Sequence, residues 1–327
     1  GNGVDEAESF GDYLASRKAY LTAVAARKWG KARHVGVWAL YDPKSSATLH
    51  VQAETGHPGA LRPEEDSFAG LLNVLGISCL PEENAVVAVC GQYLRNLSEA
   101  EIRSLFARNR VLLDGESALI LLERGLGGLV HAVEATAVPS DSGVNAYEQV
   151  CDGFRYADLP EGRISCQGRA GDWVNIVYEK DPDVVLLSRV HAYTGAVSGP
   201  GLARIGNHAI ILPYRFGGII PASQFTRVRQ HMLQRLMARW GVPVVQGGAP
   251  VGLYLYEDGM LLANASMDDA AGLSVCYARG AGKRVYEIRP HGGQTAVGAF
   301  SEDGIWRMEG TLPRMATRAF VFEEGMA

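Results

Sequence analysis

What this sequence lacks narrows its class before any motif is read. Its apolar runs, such as Ala118–Leu122 and Ala209–Leu212, fall far short of the ~20 residues needed to cross a bilayer. The net charge is −5, with Lys+Arg 31 against Asp+Glu 36, so no basic surplus points to nucleic acid or to an anionic membrane. Cysteine is sparse and odd in number. Cys79, Cys90, Cys151, Cys166 and Cys276 are scattered, with no CxxC and no Cys/His cluster at metal-ligand spacing. The thiols read as small buried hydrophobes, and no metal or cofactor is implied. Lysine is scarce beside arginine (6 against 25), which fits a GC-rich genome better than a phosphate-binding device. Repeats and low-complexity segments are absent. The chain opens Gly1-Asn2-Gly3 without Met, as a cloning remnant would, so an upstream signal or domain is expected to have been trimmed away. What remains is an ordinary globular composition, 47% hydrophobic and 20% charged, long enough for two or three domains.

Residues 86–133 carry the clearest pattern: strand, capped helix, strand, helix, strand, with little slack. Val86–Val89 is a β-branched run. Ser98 followed by Glu101 is a capping box that satisfies free amides at a helix start. Ile102, Leu105 and Phe106 then recur at helical spacing. Val111–Leu113 is a second buried strand, and Asp114-Gly115-Glu116 turns it into a helix bearing Ala118, Leu119 and Leu122. That helix ends at Gly125 with Arg124 in its last turn, where a left-handed residue and a cation are both favoured. Such alternation implies a parallel, doubly wound α/β sheet.

The same segment resembles the α/β domain that follows the catalytic barrel in β-galactosidase-like glycoside hydrolases. Gly91, Leu97, Ser98, Glu99, Glu101, Ile102, Leu112, Leu113, Asp114, Glu116, Ala118, Glu123, Arg124 and Gly125 match that pattern, while Ala100 and Ser117 depart from it. The resemblance covers about fifty residues and is faint elsewhere. It implies a class I glutamine-amidotransferase-like (flavodoxin-like) fold that helps assemble trimers. It also implies a separate upstream catalytic barrel as partner.

Elsewhere, Ser9–Trp29 reads as an amphipathic helix with Phe10, Tyr13, Leu14, Tyr20, Leu21 and Val24 on one side. His34–Leu40 is the first sheet strand, Tyr41–Arg62 a loop, and Pro63–Leu75 a helix with Gly76 past its end. Ala135–Glu161 reads as an irregular connector, and Arg163–Glu179 and Val184–Tyr193 as inserted antiparallel strands. Ala209–Pro213 is a further buried strand. Ser223–Trp240 is a helix with Phe225, Val228, Met232, Leu236 and Trp240 on one face, capped by Gly241. From Pro250 the period drops to 2, with a hairpin around Asp258-Gly259 bearing a type I′ signal. Strands at Leu273–Tyr277, Arg284–Ile288, Thr295–Phe300 and Ala319–Phe322 follow, which is a small antiparallel β-sandwich. The expected division is therefore 1–245, α/β with inserted strands near 162–193, and 250–327, sandwich.

Three sets of residues invite chemistry. Cys90-Gly91 follows a strand as an amidotransferase nucleophile would, but the Gly-x-Cys-x-Gly elbow is absent and no His-x-Glu pair follows, so Cys90 reads as packing. Asp114 and Glu116 form a carboxylate pair at the edge of the sheet where α/β ligands bind. Glycosidases need paired carboxylates, yet two acids at a helix start more commonly cap it. Trp173, His191 and Tyr193 are read as a sugar platform or, more simply, as strand aromatics packed on the core. His208, His231 and His291 are isolated, and Asn264-Ala265-Ser266 and Asn96-Leu97-Ser98 match the glycosylation sequon. The leading expectation is the non-catalytic assembly region of a glycoside hydrolase from a bacterial cytoplasm, associating as a homo-oligomer with a trimer favoured. A stand-alone carbohydrate-binding module and an enzyme with an unrecognised site are the alternatives; the length of the open reading frame upstream of Asn2 discriminates among them.

Overall fold

The computed structural model describes residues 3–26, 32–48, 64–139, 142–151, 165–167, 172–215 and 226–324. Trp29, Pro63, Glu161, Arg163 and Phe225 lie outside the described residues, as do most of the loop 41–62 and the side chain of Cys166. The chain divides into an α/β unit, Gly36–Leu75 with Cys79–Trp240, and a β unit, Gly1–Val35 with Gly76–Ser78 and Gly241–Ala327.

The α/β unit is organised by a seven-stranded mixed sheet. Its order is Cys79–Leu80, Val37–Ala39, Val86–Val89, Arg110–Asp114, Ala209–Leu212, Ala203–Ile205, Val184–Leu186. The first five strands run parallel, and the last two add antiparallel. Val86–Val89 and Ala209–Leu212 are buried at every position, as strands covered on both faces must be. The expected parallel neighbours near 37, 86, 111 and 209 are therefore real.

Helix α1 (Gly3–Ala26) belongs to the β unit; α2 (Glu64–Val74), α3 (Glu99–Arg108), α4 (Gly115–Glu123) and α5 (Arg227–Arg239) belong to the α/β unit. Ile102 and Phe106 of α3 and Ala118, Ile120 and Leu121 of α4 share one core with Val87, Val89, Val111, Leu113 and Ile211. The capping box at α3 forms as read: Glu101 N–H donates to Ser98 Oγ (3.3 Å) and Ser98 N–H to Glu101 Oε2 (2.7 Å). The Ser98 hydroxyl, then its amide, hold the Glu101 carboxyl below its ordinary range. Gly125 and Gly241, past α4 and α5, take φ +71° and +77°.

The antiparallel parts differ from the sequence reading. The supposed connector contains two strands, Ala132–Val138 and Tyr147–Val150. Ala132–Val138 pairs with Trp173–Tyr178 in a two-stranded ribbon whose outer residues, Val133 among them, face solvent. Tyr147–Val150 joins Ser188–His191, Val197–Pro200 and Ser165–Gln167 in a four-stranded sheet. Val184–Tyr193 is thus split, its first strand ending in the main sheet and its second in this smaller one.

The β unit pairs a five-stranded antiparallel sheet (Val251–Tyr256, Gly259–Asn264, Thr317–Glu323, Arg284–Ile288, Gln294–Ala299) with a three-stranded one (Val244–Gln246, Ser274–Cys276, Ile305–Arg307). Leu253, Leu255, Met260, Leu262, Phe320 and Phe322 of the first meet Val245, Val275 and Trp306 of the second in one core. The first hairpin closes through Glu257-Asp258, since Tyr256 pairs with Gly259. Positive φ is absent from 257–259, so the turn is not the type I′ that the Asp258-Gly259 pair suggested. On the sheet's outer side, Ile288, Ala319 and Val321 receive Tyr20, Ala23 and Val24 of α1. That packing places α1 with the β strands, and not with the α/β domain to which residues 1–245 were assigned.

Candidate functional site

The carboxyl edge of the parallel strands is where an α/β sheet presents ligand-binding groups. Strand Arg110–Asp114 ends there on Asp114, fully buried, and α4 begins at once. Both carboxylate oxygens of Asp114 accept backbone amides: Ser117 N–H to Oδ1 at 2.8 Å, and Gly91 N–H to Oδ2 at 2.9 Å. Gly91 follows strand Val86–Val89 with φ +61°, a conformation that aims its amide across to the neighbouring strand. Gly115 is equally constrained, because a Cβ there would lie 2.6 Å from Val174 Cγ2 and 3.0 Å from the Pro213 carbonyl carbon.

Glu116 is 5% exposed and held on both oxygens. Gln92 Nε2 donates to Oε1 at 2.7 Å, and Arg215 Nε forms a close ion pair with Oε2 at 2.6 Å, though without hydrogen-bond alignment. Arg215 also lies 3.7 Å from Asp172 and donates its own N–H to the Asp172 carbonyl at 2.8 Å. Cys90 is buried beside this edge. Cys90, Asp114 and Glu116 thus come from adjacent strand ends, with Asp114 committed to backbone amides and Glu116 to Gln92 and Arg215. Gln92 and Arg215 went unmarked in the sequence; their place, within three residues of a buried strand's end, is the signal that would have found them.

The aromatic trio does not converge. Trp173 is 1% exposed, and its Nε1 donates to the Pro200 carbonyl at 3.0 Å. His191 lies in a different sheet, stacked on Tyr147 at 4.9 Å with the ring planes 8° apart, its Nδ1 3.1 Å from the Gly195 carbonyl. Of the three, only Tyr193 projects into solvent, at 72%. A stacking platform needs open ring faces, which two of the three lack. The Asn264 sequon is likewise occupied, since its amide donates to the Asp268, Leu312 and Pro313 carbonyls and its oxygen accepts from Ser266.

The sequence did not mark a buried charged cluster in this unit. Glu148 Oε1 accepts from the Ser188 hydroxyl and from Leu202 N–H (3.2 Å), and Oε2 from the Tyr214 hydroxyl (3.0 Å). Arg229 of α5 lies 3.5 Å from Oε2, both side chains being 3% exposed, and its guanidinium carbon sits 5.4 Å from the centre of the Tyr214 ring. The cluster ties α5 to the smaller sheet through Glu148, both of whose oxygens accept hydrogen bonds, although the buried Arg229 Nε finds no hydrogen-bond partner among the described residues. Among the described residues no His, Cys, Asp and Glu gather as metal ligands. Burial pushes the Cys79 thiol up to about 12, which removes it as a nucleophile.

No family model matches the sequence, and no curated protein matches it. Among solved structures, α-L-fucosidase isoenzyme 2 from Paenibacillus thiaminolyticus is similar at a TM-score of 0.56 and 15% identity, over 96% of this chain and 51% of that one. The likeness is one of fold. A catalytic mutant of a GH42 β-galactosidase from G. stearothermophilus gives 0.47 at 12% identity, over 89% of this chain and 40% of that one. A β-galactosidase from Rahnella sp. R3 gives 0.41 at 14%, over 79% and 37%. This chain spans about half the length of the fucosidase chain it matches. Its elements, a mixed α/β unit and a unit of antiparallel β sheets, are thus ones that a glycoside hydrolase fold also contains. No helix is long and apolar enough to cross a membrane among the described residues.

Proposed function

We propose that this chain is the assembly and support region of a glycoside hydrolase, working beside a separate catalytic barrel and not turning over substrate itself. In this reading the α/β unit is a flavodoxin-like, amidotransferase-like domain without its nucleophile, the β unit is a sandwich module, and the assembly is a homotrimer. One observation carries it. At the carboxyl edge, both oxygens of Asp114 accept main-chain amides, and Glu116 is neutralised by Arg215. A general acid or nucleophile needs an oxygen available to substrate and a pKa set for proton transfer. These carboxylates instead join strand end to helix start. The fold shared with the fucosidase supports the setting. The purified chain is expected to leave aryl glycosides and glutamine unchanged, and Asp114→Asn, which keeps one acceptor but turns the other into a donor facing a buried amide, to lower stability by about 1–3 kcal/mol. Turnover that disappears in Asp114→Asn or Glu116→Gln, with folding intact, refutes the reading.

A further inference from the structure

The opposite, amino edge of the parallel sheet holds a recess of about 460 Å³. The end of α3 brings Phe106 and Arg108 to it, and the next strand starts there with Arg110. Asn207 and His208 come from the turn before Ala209–Leu212, and α5 ends on Trp240. Among the described residues no carboxylate lines the recess. Neither Arg108 nor Arg110 forms an ion pair among the described residues. Arg110 donates once, from Nη1 to the Trp240 carbonyl at 3.3 Å, and His208 Nε2 lies 3.2 Å from the Leu129 carbonyl. A guanidinium carries five N–H donors, so most of those on Arg110 are left for something else. The recess thus presents two cations, Arg108 exposed and Arg110 half-buried, beside the edges of the buried Phe106 and Trp240 rings. Helix-end carbonyls offset part of this charge. They do not explain an open volume in the usual size range of small-molecule pockets.

We propose that this recess binds a small organic anion, its phosphate or carboxylate group on Arg108 and Arg110 and its body over the ring edges of Phe106 and Trp240, which close the floor without offering an open face. Arginine suits both anions, because its planar fork matches two oxygens at once. The site lies apart from the carboxyl edge and does not rest on the support-domain reading, so either can fail alone.

Titration calorimetry at low salt, with glucose 6-phosphate, glucuronate, inorganic phosphate and neutral glucose, tests it. At least one of the two organic anions should bind ten-fold or more tighter than glucose, and more weakly as salt rises. Which one binds separates a phosphate ligand from a carboxylate ligand. Arg108→Ala/Arg110→Gln should weaken it ten-fold or more with the circular dichroism unchanged, and Arg110→Lys should fall between. If the double variant misfolds, Arg108→Ala alone, at an exposed side chain, must still weaken binding several-fold. Three results overturn the proposal: no anion bound at millimolar concentration, affinity unchanged in the variants, or inorganic phosphate bound without either organic anion.

Discussion

Acid should loosen the β unit through one buried histidine. His34 is fully buried, with Nε2 3.2 Å from Ser78 Oγ and its ring edge-on to Tyr256 at 6.1 Å. Ser78 Oγ also accepts Leu255 N–H at 3.2 Å, while Val35 N–H donates to the Leu255 carbonyl and Ser78 N–H to that of Pro243. The histidine therefore sits where segments 33–35, 76–78 and 255–257 join. Burial lowers its pKa from 6.5 to about 4. The unfolded chain takes up a proton below pH 6.5 while the folded one refuses it until about 4, so stability is complete above 6.5 and drains away across that window. At 1.36 kcal/mol per pH, the loss is about 3 kcal/mol. His34→Gln removes the titration while keeping a polar side chain; it should cost about 1 kcal/mol at pH 7.5. Urea unfolding of both proteins at pH 7.5, 6.5, 5.5 and 4.5 isolates the effect, because carboxylates common to both cancel in the difference. The wild-type advantage should vanish and then reverse as pH falls. A difference constant to within about 0.5 kcal/mol, the ordinary error of such comparisons, would mean that His34 is not held neutral by burial.

Arg229→Met strands the Glu148 carboxylate in the interior and should cost about 3–5 kcal/mol in urea unfolding; Glu148→Gln on that background should recover part of it. The Tyr178 hydroxyl is buried without a hydrogen-bond partner among the described residues, and burial pushes its pKa up. Tyr178→Phe is accordingly expected to be neutral or to gain up to about 1 kcal/mol, and a loss larger than that would reveal a hidden acceptor. Light scattering at several concentrations should give a three-chain mass; a constant single-chain mass removes the assembly role from this chain.

How far the sequence could be read depended on the range of the interactions. Val86–Val89 and Ala209–Leu212 announce themselves because strands buried on both faces are apolar throughout. Helix ends are announced by chemistry within four residues, as at Ser98 with Glu101 and Asp114 with Ser117. Tyr147–Val150 gives no such signal. Its buried Glu148 looks like a surface acid until Ser188, Tyr214 and Arg229, 40 to 81 positions away, are seen around it. Trp173 and Tyr193 fail differently: residue type says that a ring is present, and only the backbone says which way it faces, inward at the start of the strand Trp173–Tyr178 and outward in the turn after Ser188–His191.

The motif residues themselves show why the pattern at 91–125 speaks of architecture before activity. Gly91 supplies the amide that Asp114 accepts; Ser98 and Glu101 close the start of α3. Arg124, just past α4, donates from Nη1 to the Leu94 and Leu97 carbonyls at 2.8 and 2.5 Å. Asp114 and Arg124 satisfy buried or half-buried main-chain groups at strand–helix junctions, at a cost of about 1–3 kcal/mol if lost, and the exposed capping box at Ser98 is worth about 1 kcal/mol. The group therefore wires two consecutive strand–helix units together, whatever chemistry the sheet edge performs. Glu116 is the exception, since its partners are the side chains of Gln92 and Arg215 and not the backbone. If the carboxyl edge retains any ligand-directed role, it is there that substitution should alter function while leaving the wiring of Gly91, Asp114 and Arg124 in place.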